Sequence, residues 1–233
     1  YDTEWARRYP ARIARLALTE TLMRGTVELL AAPQRFGTDR LSELEGPAIF
    51  AANHHSHLDT PLMLTSIPEP WRHKMFVAAA ADYFFTNPVT STLSALAIGA
   101  IPIDRTKVAR RSAEQAAQLL SEGWSLMIFP EGGRSPDGWG QEFRGGAPYL
   151  SAKVGVPIVP IHLEGTGRIL AKGAKRLTPS ATTVRFGHPL YPQEGEKDAR
   201  AMAARLEHAV AVLADEHTTD WWSAQQRAAT GDT

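Results

Sequence analysis

The sequence of 233 residues contains no cysteine. That excludes a disulfide framework, a thiolate nucleophile, an iron–sulfur cluster and a cysteine-ligated zinc, and it fits a cytosolic, reducing compartment. Net charge is missing as well: 25 Lys and Arg stand against 25 Asp and Glu. Without a basic excess there is no electrostatic case for nucleic acid as a partner. Long apolar runs are also absent. A spanning helix needs roughly 18 or more predominantly apolar residues. The most apolar stretch, residues 89–103, holds Thr and Ser and runs into Asp104 and Arg105, so the chain as given is not expected to cross a bilayer. It opens at Tyr1 rather than Met, which leaves room for a leader or anchor ahead of it. With 43% hydrophobic and 21% charged residues the composition is globular rather than disordered.

Residues 5–30 have a helical pattern, with Ile13, Leu16, Leu22, Val27 and Leu30 set among Arg7, Arg8, Arg12, Arg15 and Arg24. Such a basic amphipathic helix either lies on an anionic lipid surface or docks its apolar stripe on the domain. Beyond Pro33, short apolar runs of strand length occur at 48–52, 75–80, 97–103, 126–129, 158–161 and 183–186. Helical patterns lie at 61–65, 88–97, 109–122, 147–154 and 198–216. Strands alternating with helices predict an α/β fold: a single domain with a mixed, largely parallel central sheet flanked by helices and preceded by an N-terminal amphipathic helix. The expected divisions are an N-terminal segment at 1–44, a main domain at 45–217 and a tail at 218–233 carrying Trp221 and Trp222. Gly123 reads as a helix C-cap, and the Pro and Gly between 136 and 146 mark a loop after the fourth strand.

Three motifs sit where strands end. Asn53-His54-His55-Ser56-His57-Leu58-Asp59 leaves the run at 48–52, and Thr60-Pro61 behind it reads as an N-cap followed by a first-turn proline. A turn between His54 and Asp59 would bring the carboxylate to one imidazole nitrogen and leave the other free to accept a proton. This is the orienting half of a triad without its protein nucleophile, which fits activation of a substrate hydroxyl. Two other readings stay open at this level. Asp59 also completes the Ser-x-x-Asp pattern of a capping box, and His55-Ser56-His57-Leu58-Asp59 is similar to the opening of the metallo-β-lactamase signature HxHxDH, although position 60 is Thr and no spacing supports further ligands. No metal is expected. The second motif, Gly99-Ala100-Ile101-Pro102-Ile103-Asp104-Arg105, ends an apolar strand with an arginine able to hold a phosphate, or to pair with Asp104 on the surface. The third, Phe129-Pro130-Glu131-Gly132-Gly133-Arg134-Ser135, offers glycines that let a ligand approach the backbone, beside a charge and a hydroxyl.

In order and spacing, NHHSHLD, GAIPIDR, FPEGGRS and VPIVPI at 156–161 resemble the four blocks of the glycerolipid acyltransferase family with the HXXXXD motif, of the 1-acyl-sn-glycerol-3-phosphate acyltransferase type. The likeness covers about residues 45–190, and Phe143-Arg144-Gly145-Gly146 is similar to a further family stretch. The resemblance implies transfer of a fatty acyl group from acyl-CoA or acyl-ACP to the hydroxyl of a lysophosphatidate-like acceptor in phospholipid biosynthesis. The donor is then a substrate, with no permanently bound cofactor. It further implies His54 as general base with Asp59, and Arg105, Glu131, Gly132, Gly133, Arg134, Ser135 and Arg144 around the acceptor. Two departures stand out: Gly133 where the family has Thr, and Pro102 in the second block. The first puts the acceptor in question, leaving glycerol 3-phosphate or a glycolipid as alternatives. A non-catalytic lipid-binding domain of the same fold is a further one. Substrates of this kind imply a lysophospholipid-type partner and a membrane surface, with the protein placed peripherally on the cytoplasmic side of the cell membrane.

Overall fold

The N-terminal helical pattern folds as α1 (Tyr9–Leu18), a π-helical turn (Thr19–Met23) and α2 (Arg24–Ala31) in unbroken succession. In this computed structural model residues 2–103, 110–133, 141–170, 176–193 and 199–231 are described. The elements that follow are β1 (Gln34–Phe36), β2 (Ile49–Ala52), α3 (Asp59–Ser66), β3 (Met75–Ala80), α4 (Ala81–Phe84), α5 (Pro88–Ile98) and β4 (Ala100–Ile103). The second half holds α6 (Arg110–Ser121), β5 (Ser125–Ile128), α7 (Gly146–Val154), β6 (Ile158–Glu164), α8 (Thr166–Ile169), β7 (Thr183–Phe186), α9 (Ala199–Thr218) and α10 (Trp221–Thr230).

Among the described residues seven strands make one sheet in the order β1-β7-β6-β2-β5-β3-β4. The ladders from β6 to β4 are parallel, β6 and β7 pair antiparallel, and β1 runs parallel to β7, so the sheet is mixed but largely parallel. Central strands are buried on both faces, as a parallel sheet covered by helices requires. The period-two alternation divides them: Phe50, Val77, Met127 and Ile161 pack with Val27 of α2 and Leu62 and Met63 of α3. Ile49, Phe76, Leu126 and Ile158 pack with Leu120 of α6, Leu150 of α7 and Leu206 of α9 on the other face.

Local signals explain several boundaries. Asn87 caps α5 by accepting from Val89 N (3.1 Å) and Thr90 N (3.0 Å), Pro88 follows, and Gly99 at φ 66° ends the helix. The run expected as a strand over 97–103 is therefore split: its first residues close α5 and only Ala100–Ile103 is strand. The tail beyond Thr218 folds as α10, started by Asp220 accepting from Ser223 N and packed on α9.

The N-terminal helix corrects one expectation. Of its five arginines only Arg8, just ahead of α1, is exposed, so they do not form an outward basic face. Arg15 is 9% exposed and donates from Nε to Leu96 O (2.9 Å) and from Nη2 to Ala95 O (3.1 Å), which joins α1 to the last turn of α5. Burial pulls its pKa down to about 10, still well above neutrality. Arg12 lies over the Trp124 ring, and Arg24 donates to Thr65 O. Guanidinium groups need acceptors when buried, and the helix-end carbonyls of α5 supply them. The outward positions carry Tyr9, Ile13, Leu22 and Leu29, all exposed. Among the described residues no helix is long and apolar enough to cross a membrane.

His162, opposite Arg185 in the β6–β7 ladder, is 8% exposed and its Nδ1 has no hydrogen-bond partner among the described residues. Burial, reinforced by His55, His217 and Arg185, pulls its pKa down to about 4 from 6.5. The folded state therefore holds His162 neutral where an unfolded chain would protonate it. Its contribution to stability is whole above about pH 6.5 and is lost as the pH falls towards 4, by on the order of 3 kcal/mol. Urea unfolding at pH 7 and 4.5 should show a smaller acid loss for His162→Leu than for the parent chain.

Candidate active site

The site grows from the carboxyl ends of β2 and β5, where an open α/β sheet leaves a crevice. As β2 ends, the Asn53 side chain continues its ladder: Nδ2 donates to Leu163 O (2.8 Å) and Oδ1 accepts from Leu163 N (2.7 Å). The next residue, His54, is held at three points. Its Nδ1 lies 2.8 Å from Asp59 Oδ2, its backbone N–H donates to Glu131 Oε1 at 2.8 Å, and its ring stacks on Phe129 with centroids 4.0 Å apart and planes 14° from parallel. A carboxylate can only accept, so Nδ1 carries the proton and Nε2 keeps its lone pair.

Asp59 is wholly buried, and Oδ2 also accepts from His55 N (2.7 Å) and Ser56 N (2.8 Å). The dyad reading is realised by the bond to His54, whereas only the return bond of the capping box forms, because Asp59 N donates to Ser56 O and not to the Ser56 hydroxyl. The expected Thr60 N-cap is displaced, since α3 begins at Asp59 itself with no side-chain cap on Leu58. Three N–H donors around one oxygen hold the loop closed, while Oδ1 has no hydrogen-bond partner among the described residues.

Glu131 is 1% exposed, and its carboxylate accepts from His54 N through Oε1 and from Gln141 N (3.1 Å) through Oε2. It clamps the His54 backbone to the segment after the third motif and lines the same cavity as the base. Burial raises its pKa, and the two amide bonds oppose the rise. Gly132, at φ 72°, allows the Arg144 guanidinium to lie against the backbone: a Cβ there would come within 2.8 Å of Arg144 Cζ. Arg144 N donates to Pro130 O, and Gly133 O accepts from Gln141 Nε2. Arg105, Arg134 and Ser135 lie outside the described residues.

These groups open on a cavity of about 840 Å³. His54, Glu131, Gly132, Gly133 and Arg144 line one part; Ala78, Ile103, Ala113, Ala116, Ile128 and Leu150 line a largely apolar remainder. His57 and Tyr83 also face it, their rings stacked at 5.4 Å with Nε2 and the hydroxyl 3.1 Å apart. The motifs brought His54, Asp59, Glu131, Gly132, Gly133 and Arg144 together. Asn53, Phe129, Gln141 and Tyr83 were not singled out, although Asn53 and Phe129 stand inside the quoted motifs. The imidazole beside Asp59 is His54, not His55 or His57. Among the described residues the groups with metal-ligand spacing are Glu20, Glu69 and His73, and Arg72 bridges both glutamates at 2.9 Å. That cluster is an ion-pair network fastening the N-terminal helix. Asp59→Ala would leave three N–H groups without their acceptor, and the loss should be about 3 kcal/mol in a denaturant titration.

Residues 32–164 match the sequence model of the acyltransferase family. The chain is 32% identical over 141 residues to the chloroplastic 1-acyl-sn-glycerol-3-phosphate acyltransferase of Arabidopsis thaliana, covering 60% of this chain and 38% of that one. It is 33% identical over 174 residues to a 1-acyl-sn-glycerol-3-phosphate acyltransferase of Chlamydomonas reinhardtii, covering 72% and 49%, and 30% identical over 179 residues to the alpha form of Bos taurus, covering 75% and 60%. The chain thus spans between about two fifths and three fifths of the length of these relatives. The crystal structure of the 1-acyl-sn-glycerophosphate acyltransferase PlsC from Thermotoga maritima superposes with a TM-score of 0.72 at 24% identity, over 94% of this chain and 84% of that one. That likeness carries the fold alone.

Proposed function

Because the chain belongs to the acyltransferase family, we propose that it transfers a fatty acyl group from a thioester, acyl-CoA or acyl-ACP, to the hydroxyl of a lysophosphatidate-like acceptor in phospholipid biosynthesis. The observation that carries this reading is the His54–Asp59 pair, 2.8 Å apart, at the edge of a largely apolar cavity of about 840 Å³. That volume lies within the roughly 300–1,000 Å³ of small-molecule sites. His54 Nε2 takes the proton of the acceptor hydroxyl, the oxygen attacks the thioester carbonyl, and the C–S bond of the tetrahedral intermediate breaks. The imidazolium returns its proton to the departing thiolate, so an ester and a free thiol leave. No cysteine is present to carry the acyl group, and direct transfer needs none. Asp59 holds the tautomer, and Glu131 holds the backbone of the base. Arg144, with Arg105 and Arg134, supplies positive charge for the acceptor phosphate; Gly132, Gly133 and Ser135 shape the same subsite.

The non-catalytic alternative has only Gly133 in its favour, and the ordered dyad weighs against it. General base catalysis typically contributes about 10²- to 10⁴-fold, so His54→Ala should lower turnover by that order. Since the chain lacks cysteine, a thiol reagent reads the released coenzyme A or carrier thiol with no background from this protein. Lysophosphatidate, glycerol 3-phosphate and a glycolipid form the acceptor panel. Silence with every acceptor and both donors, or near-normal turnover in His54→Ala, would overturn the assignment.

The apolar remainder of the cavity takes the acyl chain in this reading. Ala113 and Ala116 sit on its α6 wall. Ala113→Phe should shift preference to shorter acyl donors, with short-chain turnover kept and long-chain turnover lost, when a series of acyl-CoA lengths is compared. We further place the protein peripherally at the cytoplasmic side of a membrane, reached through the outward apolar side chains of α1 and α2. The poor water solubility of such substrates supports that placement.

A further inference from the structure

We infer that α5 is a second lipid-contacting helix, joined to α1 as one surface that rests on hydrocarbon rather than on charged head groups. Residues 83–103 contain no charged side chain, yet α5 lies partly on the outside: Val89 is 67% and Leu93 59% exposed. A helix facing water normally presents charge there. The neighbouring helix repeats the pattern. Every exposed position between 9 and 26 is uncharged, while Arg12, Arg15 and Arg24 turn inward. Arg15 fastens the two helices, since its guanidinium is buried against the Leu96 and Ala95 carbonyls of α5.

The place of this surface in the fold favours lipid over a protein partner, and four of the hydroxyl groups on these helices are compatible with it. Thr21 and Thr26 donate back to Ala17 O (2.6 Å) and Leu22 O (2.7 Å), and Thr90 and Ser91 donate back to Asn87 O (3.2 and 2.7 Å). Polar groups satisfied within their own helix suit hydrocarbon, which offers no partner. The surface also adjoins the cavity: Tyr83 and Phe84, just before α5, and Ile98 at its end line the cavity wall. A lipid lying on α5 is therefore beside the compartment assigned to the acyl chain.

This inference rests on the membrane placement proposed above, and vesicle flotation of the full chain separates the two. Phosphatidylcholine vesicles should bind the parent chain, and high salt should leave the binding intact. Val89→Glu with Leu93→Glu should weaken that partition about a hundredfold or more, because burial of each side chain contributes at least roughly a factor of ten. Melting temperature and thiol release from a soluble short-chain donor should stay as in the parent. Leu93→Ser alone should give a smaller loss in the same direction, which keeps the test open if the double variant folds poorly. Equal partition of parent and both variants, with loss only in Leu22→Glu, would overturn the role of α5 and leave the N-terminal contact standing. Binding only to anionic vesicles, abolished by salt, would overturn the inference. So would a dimer in sedimentation that the double variant splits while vesicles stay unbound. No flotation of the parent chain at all would remove both readings without touching acyl transfer.

Discussion

One buried carboxylate oxygen, Asp59 Oδ2, gathers His54 Nδ1, His55 N and Ser56 N within 2.8 Å. The strand-to-helix turn after β2 closes around it. An ionised acceptor strengthens such bonds, and an apolar setting makes losing any of them costly. The same oxygen turns the chain into α3, caps the entering loop and fixes which nitrogen of His54 is basic. Structure and chemistry are therefore inseparable at this residue. A substitution that spared the loop would still alter the base, and one that spared the base would have to rebuild the loop.

A second buried carboxylate reinforces the first from another element. Glu131 reaches the His54 amide from the end of β5 and the Gln141 amide beyond it, so the base is held by its ring through Asp59 and by its backbone through Glu131. Phe129 completes the support by stacking. The positions follow from the parallel register of β2 with β5, Ala51 beside Ile128, which brings the two loops out at one end of the sheet. Burial raises the Glu131 pKa, yet two backbone amides favour its charged form. That balance keeps the carboxylate in place beside the base while it also lines the cavity.

Much of this was legible in the sequence wherever local chemistry decides. The strands at 75–80 and 183–186 have the bounds their apolar runs suggested, and α5 extends the helical pattern at 88–97 by one residue. The dyad too was readable, because five positions spanning a turn bring a histidine back to an aspartate. What escaped was set by contacts far along the chain. β1, with the polar sequence QRF, is a strand only because Thr183 to Arg185 offer it a ladder. The bond of Glu131 to the His54 amide, 77 residues away, left no mark on the sequence. Asn53 gave no signal for pairing with Leu163, which lies 110 residues on.

The inward turn of the N-terminal arginines has the same origin and reaches further. Composition distributes charge without saying which way it faces, and a basic helix read alone suggests a cationic outer surface. In the fold, the last turn of α5 has carbonyls lacking helical partners, and Arg15 is the cation that satisfies them. Once the guanidinium is committed there, the opposite side of α1 is left with Tyr9, Ile13 and small residues. The balance of 25 bases and 25 acids is therefore no measure of surface character. Arg12, Arg15 and Arg24 are drawn into contacts that lock the N-terminal helices to the domain, and the side they leave carries apolar and small residues. On the membrane placement proposed above, such a helix would hold its domain by apolar contact, so attachment would follow hydrocarbon burial and be insensitive to screening by salt.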